Sequence, residues 1–546
     1  MQLNRFSLAF TLAFGATLAA CHSGKSETVE TETGESKAPK AADFSTTAAS
    51  LPDTQRNSSW FQSGRDAIAR ASAVTINNQP GAAKNVILFV GDGMGISTVT
   101  AARILAGQQQ GLSGEEYQLS FEKMPFAGLI KTYNTNQQTP DSAGTATAML
   151  AGVKTKAGVL NVEESVARGD CAGSLQRPLT TALELAEERG KRTAIVSTAR
   201  ITHATPAATY AKVPERGWEA TAPEGCKDIA TQMVELTAGD GIDVIMGGGR
   251  RSFLPKEVTD LEGNTGKRED GVNLIDAWKE RYGNQADSVV YIEDQAGFDN
   301  IDVAGTDKLL GLFESSHMRY EIDRKNDKAG EPSLADMTGK AIDLLSNKSN
   351  NDQGYFMLIE SGRIDHGHHA GSAHNALTDT VEFAKAIQLA MDRTSAEDTL
   401  IIVTADHSHV MTIAGYPTRG NPILGKVVTN NPEGAPEPDV ALAADGKPYT
   451  TITYANGLGH AHYGASTDAD DRYEDPASAG RQDISGDDTE AQGYHQEALV
   501  PLGSETHAGE DVGVWARGPG AHLLSGTNEQ SLIFHVMAHA GGLLGE

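Results

Sequence analysis

The sequence predicts an α/β protein with a mainly parallel central sheet covered by helices on both faces, plus an irregular surface insertion near its C-terminal third. Two observations predict the sheet. Short, wholly apolar runs recur along the chain, as strands buried on both faces require, and longer amphipathic stretches separate them, so that consecutive strands are joined by helices. A third observation, 39% hydrophobic residues in 546, supplies enough apolar side chains for one large core.

From the N-terminus, Arg5 precedes an apolar stretch, Phe6 to Ala20, that is too short to span a bilayer comfortably. Residues 1–20 therefore read as an export signal. It ends in Leu18-Ala19-Ala20-Cys21, which resembles the lipobox of bacterial lipoproteins, in which the cysteine carries lipid; an ordinary signal cleaved near Ala20 is the competing reading. Both predict an exported protein, either periplasmic or held at the outer membrane through Cys21, or extracellular. Residues 21–60 are rich in Glu, Thr, Ser, Lys and Ala and read as a flexible tether, with the folded body over 61–546. Setting Cys21 aside leaves Cys171 and Cys226 either as a disulfide or as two thiols.

Within the body, the clearest strands are Asn85–Val90, Thr193–Ser197, Ile242–Met246, Tyr355–Ile359 and Leu400–Thr404, with helices over Leu179–Arg189 and Leu334–Leu345 among the intervening segments. Residues 430–495 lack aliphatic runs and hold acidic residues from Asp468, Asp470, Asp471, Glu474 and Asp475 through Asp483, Asp487, Asp488 and Glu490. They read as the surface insertion. No EF-hand spacing is present in it.

Open parallel sheets place their sites at the carboxyl ends of the strands. Three strands here run into metal-ligand chemistry: Gly91-Asp92-Gly93-Met94-Gly95, Glu360 through His369, and Ala405-Asp406-His407-Ser408-His409. Imidazole with carboxylate and no thiolate suits zinc, and an oxygen-only set suits magnesium. The run Thr139-Pro140-Asp141-Ser142-Ala143-Gly144-Thr145 predicts a helix with Ser142 at its N-terminal tip, where free N–H groups favour an anion. There Ser142 is either a nucleophile activated by a metal or simply the helix cap.

Taken together, Gly91 to Gly95, Asp141 to Thr147, Glu360 to His369 and Thr404 to His407 resemble the alkaline phosphatase family, in the family's own order. The resemblance runs from about residue 84 to the C-terminus and includes Gly247-Gly248-Gly249-Arg250, Leu310 to Glu314 and Ala516-Arg517-Gly518-Pro519. It implies hydrolysis of phosphate monoesters through a phosphoserine on Ser142, with Arg216 clamping the phosphate. It further implies two zinc ions, one on Asp365, His369 and His507 and one on Asp92, Asp406 and His407, and a magnesium ion on Asp92, Thr205 and Glu360. His203 and His366 stand where some bacterial members carry Asp and Lys, an animal-type pattern, and are expected to tune the phosphate or metals from behind. Calcium near Phe313 and Glu314 is left open, because the stretch up to Glu331-Pro332-Ser333 differs in length. The family also implies small phosphate esters as substrates and a homodimer as the assembly. His368 competes with His369 as a ligand. His409, His460, His462 and His495 are expected at the surface or behind the ligands.

Other functions fit less well. A net charge of −28 repels a nucleic-acid backbone. Neither Cys171 nor Cys226 opens a sulfatase motif, and Gly24-Lys25-Ser26 lacks the earlier glycine of a P-loop. Two rivals remain: a phosphodiesterase on the same fold, and a lipid-anchored protein that binds metal or phosphate without turnover. Replacing Ser142 separates the enzyme from the binder.

Overall fold

The computed structural model describes residues 51–283, 288–347, 352–462 and 480–544. The leader, Cys21 and residues 22–50 lie outside the described residues, as do Asp468, Asp470, Asp471, Glu474 and Asp475. The chain divides into two compact units, residues 1–73 and 74–546. In the first, the described residues form the helices Asp53–Arg56 and Ser59–Ser72, neither of which has a buried residue.

The second unit is built on a ten-stranded sheet. Its first eight strands in chain order are β1 (Asn85–Gly91), β2 (Phe126–Lys131), β3 (Arg192–Arg200), β4 (Val244–Gly248), β5 (Val289–Ile292), β6 (Lys308–Glu314), β7 (Tyr355–Ser361) and β8 (Thr399–Ala405). Across the sheet the order is Gly526–Glu529, β2, Val512–Arg517, β8, β1, β7, β3, β4, β6, β5. The seven strands from β8 to β5 are mutually parallel. Val512–Arg517 runs antiparallel between β8 and β2.

The five expected strands are all present. The apolar run Val86–Val90 is wholly buried, as are β7 and β8 on either side of it. Each such Val, Ile, Leu or Phe contributes about 1.5–3 kcal/mol by leaving water. The expected strand Ile242–Met246 begins two residues later and ends at Gly248. The helix expected over Leu179–Arg189 is shorter, Ala182–Glu188, because Thr181 caps it. Thr181 Oγ1 accepts from the Glu184 N–H at 3.2 Å, and the Glu184 carboxylate accepts from the Thr181 N–H at 2.9 Å. A similar box at Ser333 and Asp336 starts the helix Leu334–Ser346, which packs against the long helix Ala373–Arg393.

Residues 430–495, expected to be irregular, include the strand Ile452–Gly457, which pairs with Met411–Ile413 and Ala498–Pro501 and buries Ile452 and Tyr454. Beyond it, Ala461–His462 pairs with Tyr494–His495. Cys171 and Cys226 form a disulfide with their Cα atoms 5.9 Å apart.

Candidate active site

Register brings the acidic strand ends together. Gly91 of β1 lies opposite Ser361 of β7 and Ala405 of β8, so Asp92, Glu360 and Asp406 reach the carboxyl edge of the sheet side by side. All three are fully buried. Gly93 follows with a φ of +71°, and a Cβ there would lie 2.4 Å from the His409 ring. Only glycine combines that conformation with that approach. Its N–H donates to Asp406 Oδ1 at 3.0 Å and fixes that carboxylate.

The helix Ser142–Ala151 also points its N-terminus here. Asp141, not Ser142, is its cap, accepting from the Gly144 N–H at 3.2 Å. The serine is thereby free for other work: it is the first helical residue, buried, with Oγ 3.1 Å from His407 Nε2. Arg216 enters from the other side. Its guanidinium donates to Asp141 Oδ2 at 3.3 Å and to His203 Nε2 at 2.9 Å, which orients the fork before any anion arrives.

Two groups of side chains could each hold a cation. In the first, Asp365 Oδ1 is 3.4 Å from both His369 Nε2 and His507 Nε2, which are 3.0 Å from each other. His369 Nδ1 donates to the Glu505 carbonyl at 2.6 Å and His507 Nδ1 to the Pro140 carbonyl at 2.8 Å. With the protons held there, two ring lone pairs and a carboxylate oxygen face one another. Only a positive charge between them makes that arrangement favourable. In the second, His407 Nε2 is 3.4 Å from Asp92 Oδ1 and 3.3 Å from Asp406 Oδ2. Tetrahedral zinc with bonds of about 2.0–2.1 Å sets its ligand atoms about 3.3 Å apart, which matches both groups.

A third group is oxygen-rich. Both Asp92 carboxylate oxygens, Thr205 Oγ1 and Glu360 Oε1 are buried with no hydrogen-bond partner among the described residues. Such atoms are costly unless a cation takes them. Ser197, opposite Glu360 on β3, donates to the other Glu360 oxygen. Burial and the charges of Asp406, Asp365 and Glu360 push the Asp92 carboxyl well above its usual range. Burial raises Glu360 to about 7, with Ser197 offsetting part of the rise. Burial likewise holds His407 well below the ordinary imidazole value, which keeps its nitrogen available as a ligand. The donor sets therefore fit cations: nitrogen and oxygen in the first two, oxygen alone in the third.

His369 and not its neighbour joins the first group. His368 has both ring nitrogens engaged elsewhere, with Thr98 Oγ1 at 2.9 Å and Tyr454 Oη at 2.8 Å. His366 lies against Arg363, and its ring is 5.6 Å from that of His203. His409 is fully buried between Asp365 at 2.7 Å and Glu505 at 2.5 Å. Burial opposes its charge, but the two carboxylates push it up to about 10.

The sequence did not single out Glu505, Ser197 or His317. His317 follows β6 and sets its ring tilted 4.0 Å from that of His366 and edge-on 5.3 Å from that of His203. Its only sequence signal is its closeness to Glu314. Near Phe313, the carboxylates of Glu314 and Asp327 meet Arg319 at 3.0 and 3.7 Å, and Glu331 accepts from the Arg319 N–H at 2.9 Å. Burial, and then the charge of Glu262, raises Glu314 to about 8.

The family model described as alkaline phosphatase matches residues 83–543. The tissue-nonspecific alkaline phosphatase of Gallus gallus is 43% identical over 507 residues, covering 90% of this chain and 91% of that one. Its Homo sapiens counterpart is 44% identical over 84% of this chain and 83% of its own. Among solved structures, the alkaline phosphatase of Thermus thermophilus aligns with a TM-score of 0.59 at 25% identity, over 87% of this chain and 95% of that one. That of the Antarctic bacterium TAB5 shares the fold at 22% identity, with a TM-score of 0.55 over 85% of this chain and 99% of its own.

Proposed function

This chain belongs to the alkaline phosphatase family and is a metal-dependent phosphate monoester hydrolase, and from that premise we propose that Ser142 is its nucleophile and Arg216 its phosphate clamp. One observation carries the proposal: Ser142 Oγ sits at a helix tip 3.1 Å from His407 Nε2, beside a preoriented arginine.

Asp365, His369 and His507 would hold one zinc ion, Asp92, Asp406 and His407 a second, and Asp92, Thr205 and Glu360 a magnesium ion. When bound, these ions lower the pKa of the serine hydroxyl and of water and neutralise the leaving oxygen. The protein's own groups do the rest. Arg216 takes two non-bridging phosphate oxygens with its planar fork, a geometry a lysine cannot offer. The helix N-terminus behind Ser142 stabilises its alkoxide and the phosphate. Ser142 Oγ bonds to phosphorus as the bond to the alcohol oxygen breaks, giving a phosphoserine. Water then attacks that phosphorus from the face the alcohol left, and Ser142 and inorganic phosphate are released. His203 and His366 act from behind, His203 by holding Arg216 in place. Calcium, if this chain uses it, would take the carboxylates of Glu314 and Asp327.

The leader is proposed to export the chain, with lipid on Cys21 as its membrane contact, and the assembly to be a homodimer. The Cys171–Cys226 bridge fits an oxidising compartment. Among the described residues no helix is long and apolar enough to cross a membrane.

The test is hydrolysis of p-nitrophenyl phosphate at alkaline pH before and after EDTA, with zinc and magnesium added back. Loss on chelation and recovery only with both ions supports the metal assignment. Full recovery with magnesium alone would overturn the two-zinc reading.

A further inference from the structure

The pair His460 and His462 lies at the strand Ala461–His462, which pairs with Tyr494–His495. Residues two apart on an extended segment share a face. Both rings turn to one carboxylate, Asp487: His460 Nε2 is 3.1 Å from Oδ2, and His462 Nδ1 is 3.5 Å from Oδ1. The loop carrying Asp487 is fixed, since Lys426 Nζ donates to the carbonyls of Ser485 at 3.1 Å and Asp487 at 2.8 Å.

His460 makes a second bond on its other ring nitrogen. Its Nδ1 donates to the His495 carbonyl at 3.3 Å. In the neutral ring, the proton held there leaves a lone pair on Nε2, aimed at a carboxylate oxygen across 3.1 Å. Two acceptors at that distance repel each other unless a cation lies between them. The same carbonyl–imidazole arrangement orients His369 and His507. The 3.1 and 3.5 Å spacings, each to a different oxygen of Asp487, lie on either side of the roughly 3.3 Å separation of two ligand atoms on one zinc ion. The His460 side chain is 10% exposed, whereas His462 and Asp487 are 25% and 27% exposed, so one side of the cluster stays open to water.

We propose that His460, His462 and Asp487 form a further divalent transition-metal site, of the zinc class, separate from the catalytic centre. Three protein ligands and a water would complete a tetrahedron. The ion would clamp the Asp483–Asp488 turn to the strand pair Ala461–His462 and Tyr494–His495, and take no part in phosphate chemistry.

Zinc content tests this. Full-length protein is loaded with zinc and magnesium, desalted and analysed by plasma mass spectrometry, alongside His460→Gln/His462→Gln and, in case that pair fails to fold, Asp487→Asn. The double variant should bind about one zinc fewer per chain, with p-nitrophenyl phosphate turnover unchanged. Asp487→Asn should likewise lower the zinc content, by up to about one ion per chain. Equal zinc content in wild type and variants would overturn the proposal and leave a plain imidazolium–carboxylate pair. A zinc loss accompanied by loss of turnover would overturn it too, because the missing ion would then belong to the catalytic centre.

Discussion

As the proposed nucleophile, Ser142 acts through one oxygen atom. Ser142→Ala keeps the helix, because Asp141 is the cap, so a folded protein should result whose turnover falls by on the order of a thousandfold or more. Acid quenching with labelled substrate should trap a phosphoprotein in the wild type and none in the variant. His368 and His369 make a second comparison. His369→Gln should lose zinc and activity, whereas His368→Gln should keep its zinc and lose stability instead, through its bonds to Thr98 and Tyr454. Metal analysis and a melting curve separate the two outcomes. From sequence, the three-residue and four-residue offsets from Asp365 could not be told apart. The tie is broken by a carbonyl of Glu505, a residue 136 positions beyond His369, and no local pattern carries that information. Glu505 and Ser197 were unreadable for the same reason: each acts by meeting a group brought to it by tertiary structure.

At the scale of elements, strands were legible because their burial on both faces demands unbroken apolar runs, and the ligand groups followed because they sit at the ends of those runs. Helix boundaries were less so, since capping at Thr181 overrides the amphipathic pattern upstream of it. Asp141 shows how an element serves the site. Its one carboxylate caps the helix of the proposed nucleophile and also holds Arg216. Asp141→Ala should cost about 1 kcal/mol of stability and also raise both KM and the inhibition constant of inorganic phosphate, because the guanidinium is no longer preoriented. Tighter phosphate inhibition would instead mean that Asp141 competes with phosphate for Arg216.

For the molecule as a whole, the bridge between Cys171 and Cys226 closes 55 residues, worth about 4 kcal/mol on the chain-entropy account. Reduction under native conditions should lower the melting temperature measurably and leave turnover at moderate temperature intact. Stability should also depend on pH through Glu187, at the edge of the sheet remote from the site. Burial raises its carboxyl to about 8, although the Thr193 hydroxyl bonds to it and Lys308 lies near. A folded value above the unfolded one gives stability that is complete below about pH 4.5 and lost as pH rises towards 8. Glu187→Gln should flatten that decline by a few degrees in melting curves taken from pH 5 to 8. An unchanged slope would mean that Glu187 is ionised in the fold.

The side-by-side meeting of β8, β1 and β7 also has a consequence for how the protein is made. Asp92 comes early in the folded body and His507 late, and the proposed metal ligands draw on both. A ribosome delivering this chain releases an incomplete pocket until His507 emerges. On the proposed ligand sets, metal loading is therefore a late event in the protein's life, and the ions received are those of the place where the chain finishes folding.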